Sequence, residues 1–324
     1  MPGALLALLS AAIFGLTSAA LRRGVLKGSV LQGLVVTVPL GVPMFAVALG
    51  ALGAVGALTG LSLSAWMWMC LAGVIHFVLG RYGNFRATRA LGSAQSAPMQ
   101  QITALVSLAL ALIFLDEQLT PLSALGVVLV IAGPAIVLWQ RFARGAVKTG
   151  SGIQLDYLEG YVWGAVCAVS WGVSPLLIRY GLEGGGVIES IAAGFVSYLA
   201  ATVVILAMLV LPGKLAHVRG LDARSAGWFA TSGALTVFSQ MFRYMALAVA
   251  PVSIVAPILQ TTVIFRLVFG WLINRSHEVF GASVVLGVVL STLGVLALTV
   301  SVDVVIENVP LPEWLAEFAR MRWP

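Results

Sequence analysis

Five basic side chains stand inside or at the edges of long apolar runs: His76, Arg81, Arg179, Arg243 and Arg266. His76 lies near the centre of its run and Arg266 about one turn past the centre of another. No Asp or Glu occupies the middle of any such run. An ionisable group within a membrane span is costly and marks a functional candidate. Guanidinium groups in a low-dielectric cavity attract carboxylates and phosphates, whereas a cavity for simple cations would want an embedded acid. Two glutamines, Gln101 and Gln260, each follow a proline by three residues, Pro98 and Pro257. A proline inside a helix removes a backbone hydrogen bond and tends to kink the helix, so a carbonyl is freed close to an amide that could bind a ligand. Gln100, Thr261 and Thr262 adjoin these positions, and the aromatic residues Phe14 and Trp171 could wall the same space.

Each residue also has a purely structural reading. Arg81, Arg179 and Arg243 can snorkel to headgroups. His76 can be a neutral core histidine bonded to a carbonyl, and the glutamines can be glue between helices. Phe14 and Trp171 can pack against lipid. Glu117 and Glu278 precede apolar runs, where a carboxylate favours the positive end of its own helix.

Several chemistries are excluded by what the chain lacks. Intramembrane hydrolysis needs a nucleophile with a base, or a metal pair such as H-E-x-x-H. The three histidines, His76, His217 and His277, are far apart, and there is no phosphate loop and no mid-membrane aspartate pair. Cys70 and Cys167 lie in apolar runs and suggest neither a disulfide framework nor a zinc site. No metal, cofactor or catalytic residue is therefore expected. The net charge of +6 comes from basic residues scattered between apolar runs, a membrane pattern and not a nucleic-acid face.

The elements that must hold these residues are membrane helices. The 324-residue chain is 60% hydrophobic and only 9% charged, far from the quarter of charged residues usual in a soluble domain. Ten apolar runs are long enough to span a bilayer: about 3–21, 30–52, 63–85, 91–115, 121–140, 159–180, 188–211, 225–247, 251–273 and 279–301. The first is read as a true span and not a signal peptide, since no basic residue precedes it and Arg22 and Arg23 follow it. The expected fold class is all-α and polytopic, because lipid tolerates only backbones whose polar groups are paired internally.

The chain is written twice. "FGLTSAALRRG" (14–24) aligns without gaps on "WGVSPLLIRYG" (171–181), "APMQQ" (97–101) on "APILQ" (256–260), and "GVVLVIAG" (126–133) on "GVVLSTLG" (287–294), at offsets of 157, 159 and 161. Each copy holds five spans, an odd number, so the second would enter the membrane from the opposite side, as two inverted five-helix repeats. The division is 3–140 for the first repeat, 141–158 for a linker, 159–301 for the second repeat and 302–324 for the tail. Gly126, Gly133, Gly287 and Gly294 fall seven residues apart on one stripe of the fifth span of each copy, where small residues let helices approach. Of 18 Lys and Arg, 12 fall in odd loops, which places those loops and the linker in the cytoplasm and both termini outside. In the tail, Trp314, Leu315, Phe318 and Met321 share one face of a short helix suited to the membrane surface; a frayed tail with two interfacial tryptophans is the alternative.

These features resemble the drug/metabolite transporter superfamily, specifically its EamA-type members: ten spans in two repeats, "AP" near the start of spans 4 and 9, and Glu117 and Glu278 before spans 5 and 10. The second copy departs from the pattern at "INRSHE", where a Gly-Glu pair would be usual. The resemblance implies a multi-pass carrier in a bacterial cytoplasmic (inner) membrane, moving small metabolites by alternating access, often outward. The embedded arginines favour amino acids, organic acids or phosphorylated metabolites over lipophilic cations. The expected partners are a small-molecule substrate and the bilayer, with no nucleic acid, in a monomer or homodimer. The competing readings are a non-transporting or lipid-handling membrane protein and an intramembrane enzyme.

Overall fold

Many large aliphatic side chains point outward and many small hydroxyl side chains point inward. Leu5, Val47, Val128, Ile131 and Val203 are exposed, while Ser10, Thr17, Ser174, Ser232 and Ser239 are buried. That distribution suits a chain whose solvent is lipid, where hydroxyls and small residues join helices. Ser10 and Ser239 exchange hydrogen bonds to each other's carbonyl at 2.8 and 2.9 Å, and the Ser232 hydroxyl donates to the Thr17 carbonyl at 3.2 Å.

A computed structural model describes residues 2–114, 120–144, 155–182, 186–249, 258–259, 261–278, 281–300, 302–308 and 312–321. Among them every regular element is a helix. In chain order the main ones are α1 (Pro2–Val25), α2 (Val30–Thr37), α3 (Gly41–Ala51), α4 (Leu63–Gly73), a π-helical turn (Val74–Gly80), α5 (Arg81–Gln101), α6 (Thr103–Phe114), α7 (Pro121–Arg144), α8 (Tyr157–Gly181), α9 (Val187–Ala207), α10 (Ala223–Val249), α11 (Thr262–Asn274), α12 (Ala282–Thr299), α13 (Val302–Asn308) and α14 (Glu313–Arg320). Among the described residues, five stretches are long and apolar enough to cross a membrane: Gly3–Val25, Val30–Ala51, Leu63–Val106, Tyr157–Ile178 and Ile188–Val210. Pro121–Val137, Thr262–Asn274 and Ala282–Ala297 are shorter apolar helices.

The helices differ from the apolar runs at four places. The second run is split into α2 and α3 around Pro39, which has no N–H to continue a helix. The expected loop near Leu91 is a sharp bend inside a helical run, where Gly92 takes φ +85° and ψ 167°. Pro98 lies within α5, and the interruption comes one turn later at Ile102, between α5 and α6. The third run contains the π-helical turn. Pro257, Gln260, Glu117 and most of the linker lie outside the described residues.

The two copies pack reciprocally. The first helix of one copy, α1, lies on α10 and α11 of the other, and its counterpart α8 lies on α4, the π turn, α5 and α6. The reciprocity holds residue by residue. A Cβ on Gly15 would strike Phe265, and a Cβ on Gly172 would strike Val106. Gly172 is the repeat counterpart of Gly15, and Phe265 of Val106. The fifth helices, α7 and α12, pair in the same way. A Cβ on Gly133 would meet Ser291 and the Gly287 carbonyl, and a Cβ on Gly294 would meet the Gly126 carbonyl at 2.8 Å.

Candidate functional site

Two small cavities lie where the copies face each other, and they share His76 and Gln240. One is bounded by Ser174, Ser197 and Arg243, the other by Phe14, Thr17, Arg81, Asn84 and Trp171. The walls thus come from α1, the π turn and α5 of the first copy and from α8, α9 and α10 of the second. Each cavity measures about 10 Å³, roughly the least that holds one water molecule. The two cavities adjoin at His76 and Gln240 as one small chamber, which in this structure is too small for a metabolite.

His76 lies in the π turn and lines both cavities. Such a turn holds one more residue than an α turn and often marks a functional site. The His76 ring stacks on Trp171 with centroids 5.5 Å apart and meets Phe77 edge-on at 4.7 Å. The Trp171 indole N–H donates to the His76 carbonyl at 3.2 Å, and Gly80 leaves the room its ring occupies. Phe14, the repeat counterpart of Trp171, touches it edge-on at 5.8 Å, so the two equivalent aromatics meet between the copies.

The polar groups of the chamber are incompletely paired. Arg81 lies over the rings of Phe77 and Tyr198 at 5.3 and 5.9 Å, a favourable cation–π setting. Its Nη2 donates to the Tyr198 hydroxyl at 3.3 Å, but its Nη1 is buried without a hydrogen-bond partner. The same holds for His76 Nδ1 and for the hydroxyls of Thr17 and Ser174, which are repeat counterparts. Arg243 Nη1 reaches Gln240 Oε1 at 3.4 Å. No carboxylate stands among the described residues lining either cavity. Buried polar groups without partners cost about 1–3 kcal/mol each, so an anion with several acceptor oxygens suits these donors.

Arg266 lies elsewhere. It is 2% exposed and sits on α11 against α5, with Nη1 donating to Gln100 Oε1 and Nη2 to the Ser96 hydroxyl at 3.0 Å. The Gln100 amide donates in turn to Asn84 Oδ1. Asn84 lines a cavity, so Arg266 connects to the chamber through two amides without bounding it. Gln101 is buried and lines neither cavity, and its amide nitrogen has no partner. Glu278, which the sequence places ahead of its own span, is buried against Ser93 and Ala94 at the bend in α5 and accepts from both amides.

Asn84, Gln240, Thr17 and Ser174 are not candidates on sequence. A signal exists for the last two, which occupy matching positions in the gap-free alignment of the copies. Asn84 follows Arg81 by three residues, and Gln240 precedes Arg243 by three, which puts each amide on the same helix face as its arginine.

The family model described as "EamA-like transporter family" matches residues 1–139 and 158–300. No curated protein matches. A solved structure described only as "Crystal structure of protein" is similar, with a TM-score of 0.54 and 16% identity, covering 91% of this chain and 96% of that one. That likeness bears on the fold alone.

Proposed function

This chain belongs to the EamA-like transporter family, a membrane transporter of the drug/metabolite type, and from that premise we propose that it carries small anionic or zwitterionic metabolites outward by alternating access. The observation that carries the substrate class is the lining of the two adjoining cavities: Arg243 bounds one, Arg81 the other and His76 both, with no carboxylate among the described lining residues. A lipophilic cation finds no counter-charge there, whereas a carboxylate or phosphate finds a guanidinium on either side of His76 and several hydrogen-bond donors. The aromatic rings of Phe14 and Trp171 enclose the remainder. Arg266 orients Asn84 through Gln100. Two inverted copies rocking about the shared chamber would expose it to each side in turn. The basic odd loops favour a cytoplasmic-membrane protein with both termini outside.

The test is flux of labelled amino acids, organic acids and phosphorylated metabolites in proteoliposomes. Arg81→Ala and Arg243→Ala are expected to lower flux at least about tenfold, since each charge-assisted bond is worth about 1.5–3 kcal/mol. Arg266→Ala is expected to lower it less. Transport of lipophilic cations in preference to anions, or full flux in the Arg81 and Arg243 variants, refutes the assignment.

A further inference from the structure

One turn beyond the chamber, α1, α5 and the segment after α11 are joined by buried polar contacts. Leu21 lines a cavity, and Arg22 follows it, 1% exposed. Arg22 Nη1 donates to the carbonyls of Thr88 and Arg89, both at 2.8 Å, and Nη2 to that of His277 at 2.9 Å. Its Nε lies 3.8 Å from Oε1 of Glu278. Glu278, 4% exposed, accepts from the Ser93 amide at 2.7 Å, the Ser93 hydroxyl at 2.7 Å and the Ala94 amide at 3.1 Å. Two further ties close the same corner: Arg23 donates to the Ile273 carbonyl, and the Asn274 amide donates to the Ala19 carbonyl at 2.8 Å.

We propose that Glu278, held by Arg22 and by the start of the helix at Ser93 and Ala94, is the latch that keeps this face of the chamber shut and that releases when the carrier opens to that side. The inference rests on the transporter reading for its purpose and stands on three observations of its own. First, Arg22 and Ser93 belong to one copy and Glu278 to the other, so a movement that separates the copies at this face breaks the contact. Second, the contact is a buried ion pair with charged hydrogen bonds. Desolvation largely offsets the attraction within such a pair, and both groups regain water on opening. A gate made of these groups can therefore have two states of similar free energy. Third, the bend at Gly92 places Ser93 at the start of a new helical piece, with its amide free for the carboxylate. By the charge distribution of the loops this is the cytoplasmic face.

The experiment reads accessibility and needs no known substrate. In a chain carrying Cys70→Ser and Cys167→Ser, Thr17→Cys places one thiol in the chamber. A membrane-impermeant thiol reagent is applied from each side in turn. Glu278→Gln is expected to raise labelling from the face that carries Arg22 about tenfold and to lower it from the opposite face. Ser93→Ala removes one donor and keeps both amides, so it is expected to raise labelling in the same direction by about threefold. Should Glu278→Gln fail to fold, Ser93→Ala decides alone. Unchanged labelling from the Arg22 face in the folded variants, or a rise from the opposite face, overturns the latch. Absence of metabolite flux in the unaltered chain would instead remove the transporter reading and leave the labelling result to stand by itself.

Discussion

Replacing Gly92 with alanine isolates two physical effects at one position. Gly92 has φ +85° and ψ 167°, a region open essentially to glycine alone, where another residue costs of order 1–3 kcal/mol. A Cβ there would also strike the Glu278 carboxylate. That carboxylate accepts three hydrogen bonds, and losing one charge-assisted bond costs about 1.5–3 kcal/mol. Gly92→Ala is therefore expected to lower unfolding free energy by about 2.5–6 kcal/mol. Two other glycines separate the causes. Gly53 has φ +64° with nothing within 4 Å of the point where a Cβ would stand, so Gly53→Ala carries backbone strain alone, about 1–2 kcal/mol. Gly50 lies in α3 with the same open space beside it, so Gly50→Ala is expected to stabilise by about 0.5–1 kcal/mol. Reversible unfolding in mixed detergent micelles measures all three. If Gly92→Ala loses no more than Gly53→Ala, the carboxylate contact contributes nothing at the bend and the reasoning fails.

Three further expectations follow from single contacts. Gly133→Ala inserts a methyl between α7 and α12, against Ser291 and the Gly287 carbonyl, and is expected to cost about 1–3 kcal/mol in the same unfolding assay. Trp171→Phe keeps a ring beside His76 but removes the donor to its carbonyl, for an expected loss of about 1 kcal/mol; a loss at the level of Trp171→Ala would mean the hydrogen bond dominates the ring. Asp222, just before α10, accepts from the Ser225 amide at 3.0 Å, and bonding to Ser225 holds its carboxyl below the usual value. Its capping contribution is present above the unfolded carboxylate pKa and is lost as pH falls through the lower folded value. Hydrogen exchange at the Ser225 amide should accelerate, relative to its intrinsic rate, as that range is crossed. Asp222→Asn should keep the cap and remove the pH dependence.

Much of this molecule was legible in order and spacing. The apolar runs predict helices at the positions of α1, α7, α8, α9, α10 and α12, because run length and backbone satisfaction in lipid leave no other choice. The gap-free match of 14–24 with 171–181 made Phe14 and Trp171 equivalents, and the glycine phrases marked small stripes on the fifth helices. What stayed hidden was register and partnership. The π turn at Val74–Gly80 differs from an α turn by one residue and leaves no compositional trace, so His76, Phe77 and Arg81 could not be aimed from sequence. Arg266, by its depth in an apolar run a candidate for the cavity, is bonded to Gln100 and Ser96, which lie 166 and 170 residues away. Glu278 looked like a helix-start carboxylate of its own span, and it caps another helix 185 residues earlier.

The residue order by itself determined a lipid-facing, all-helical chain in two copies, with basic groups and no acids embedded in it, because hydropathy, length and repetition are local properties that need no partner. Only the tertiary structure decided which of those basic groups share a chamber, which glycine stripes meet, and which carboxylate closes the corner beside Arg22. Those outcomes depend on how two copies of one unit pack against each other, and pairings between residues so far apart are set by the shape of the whole interface.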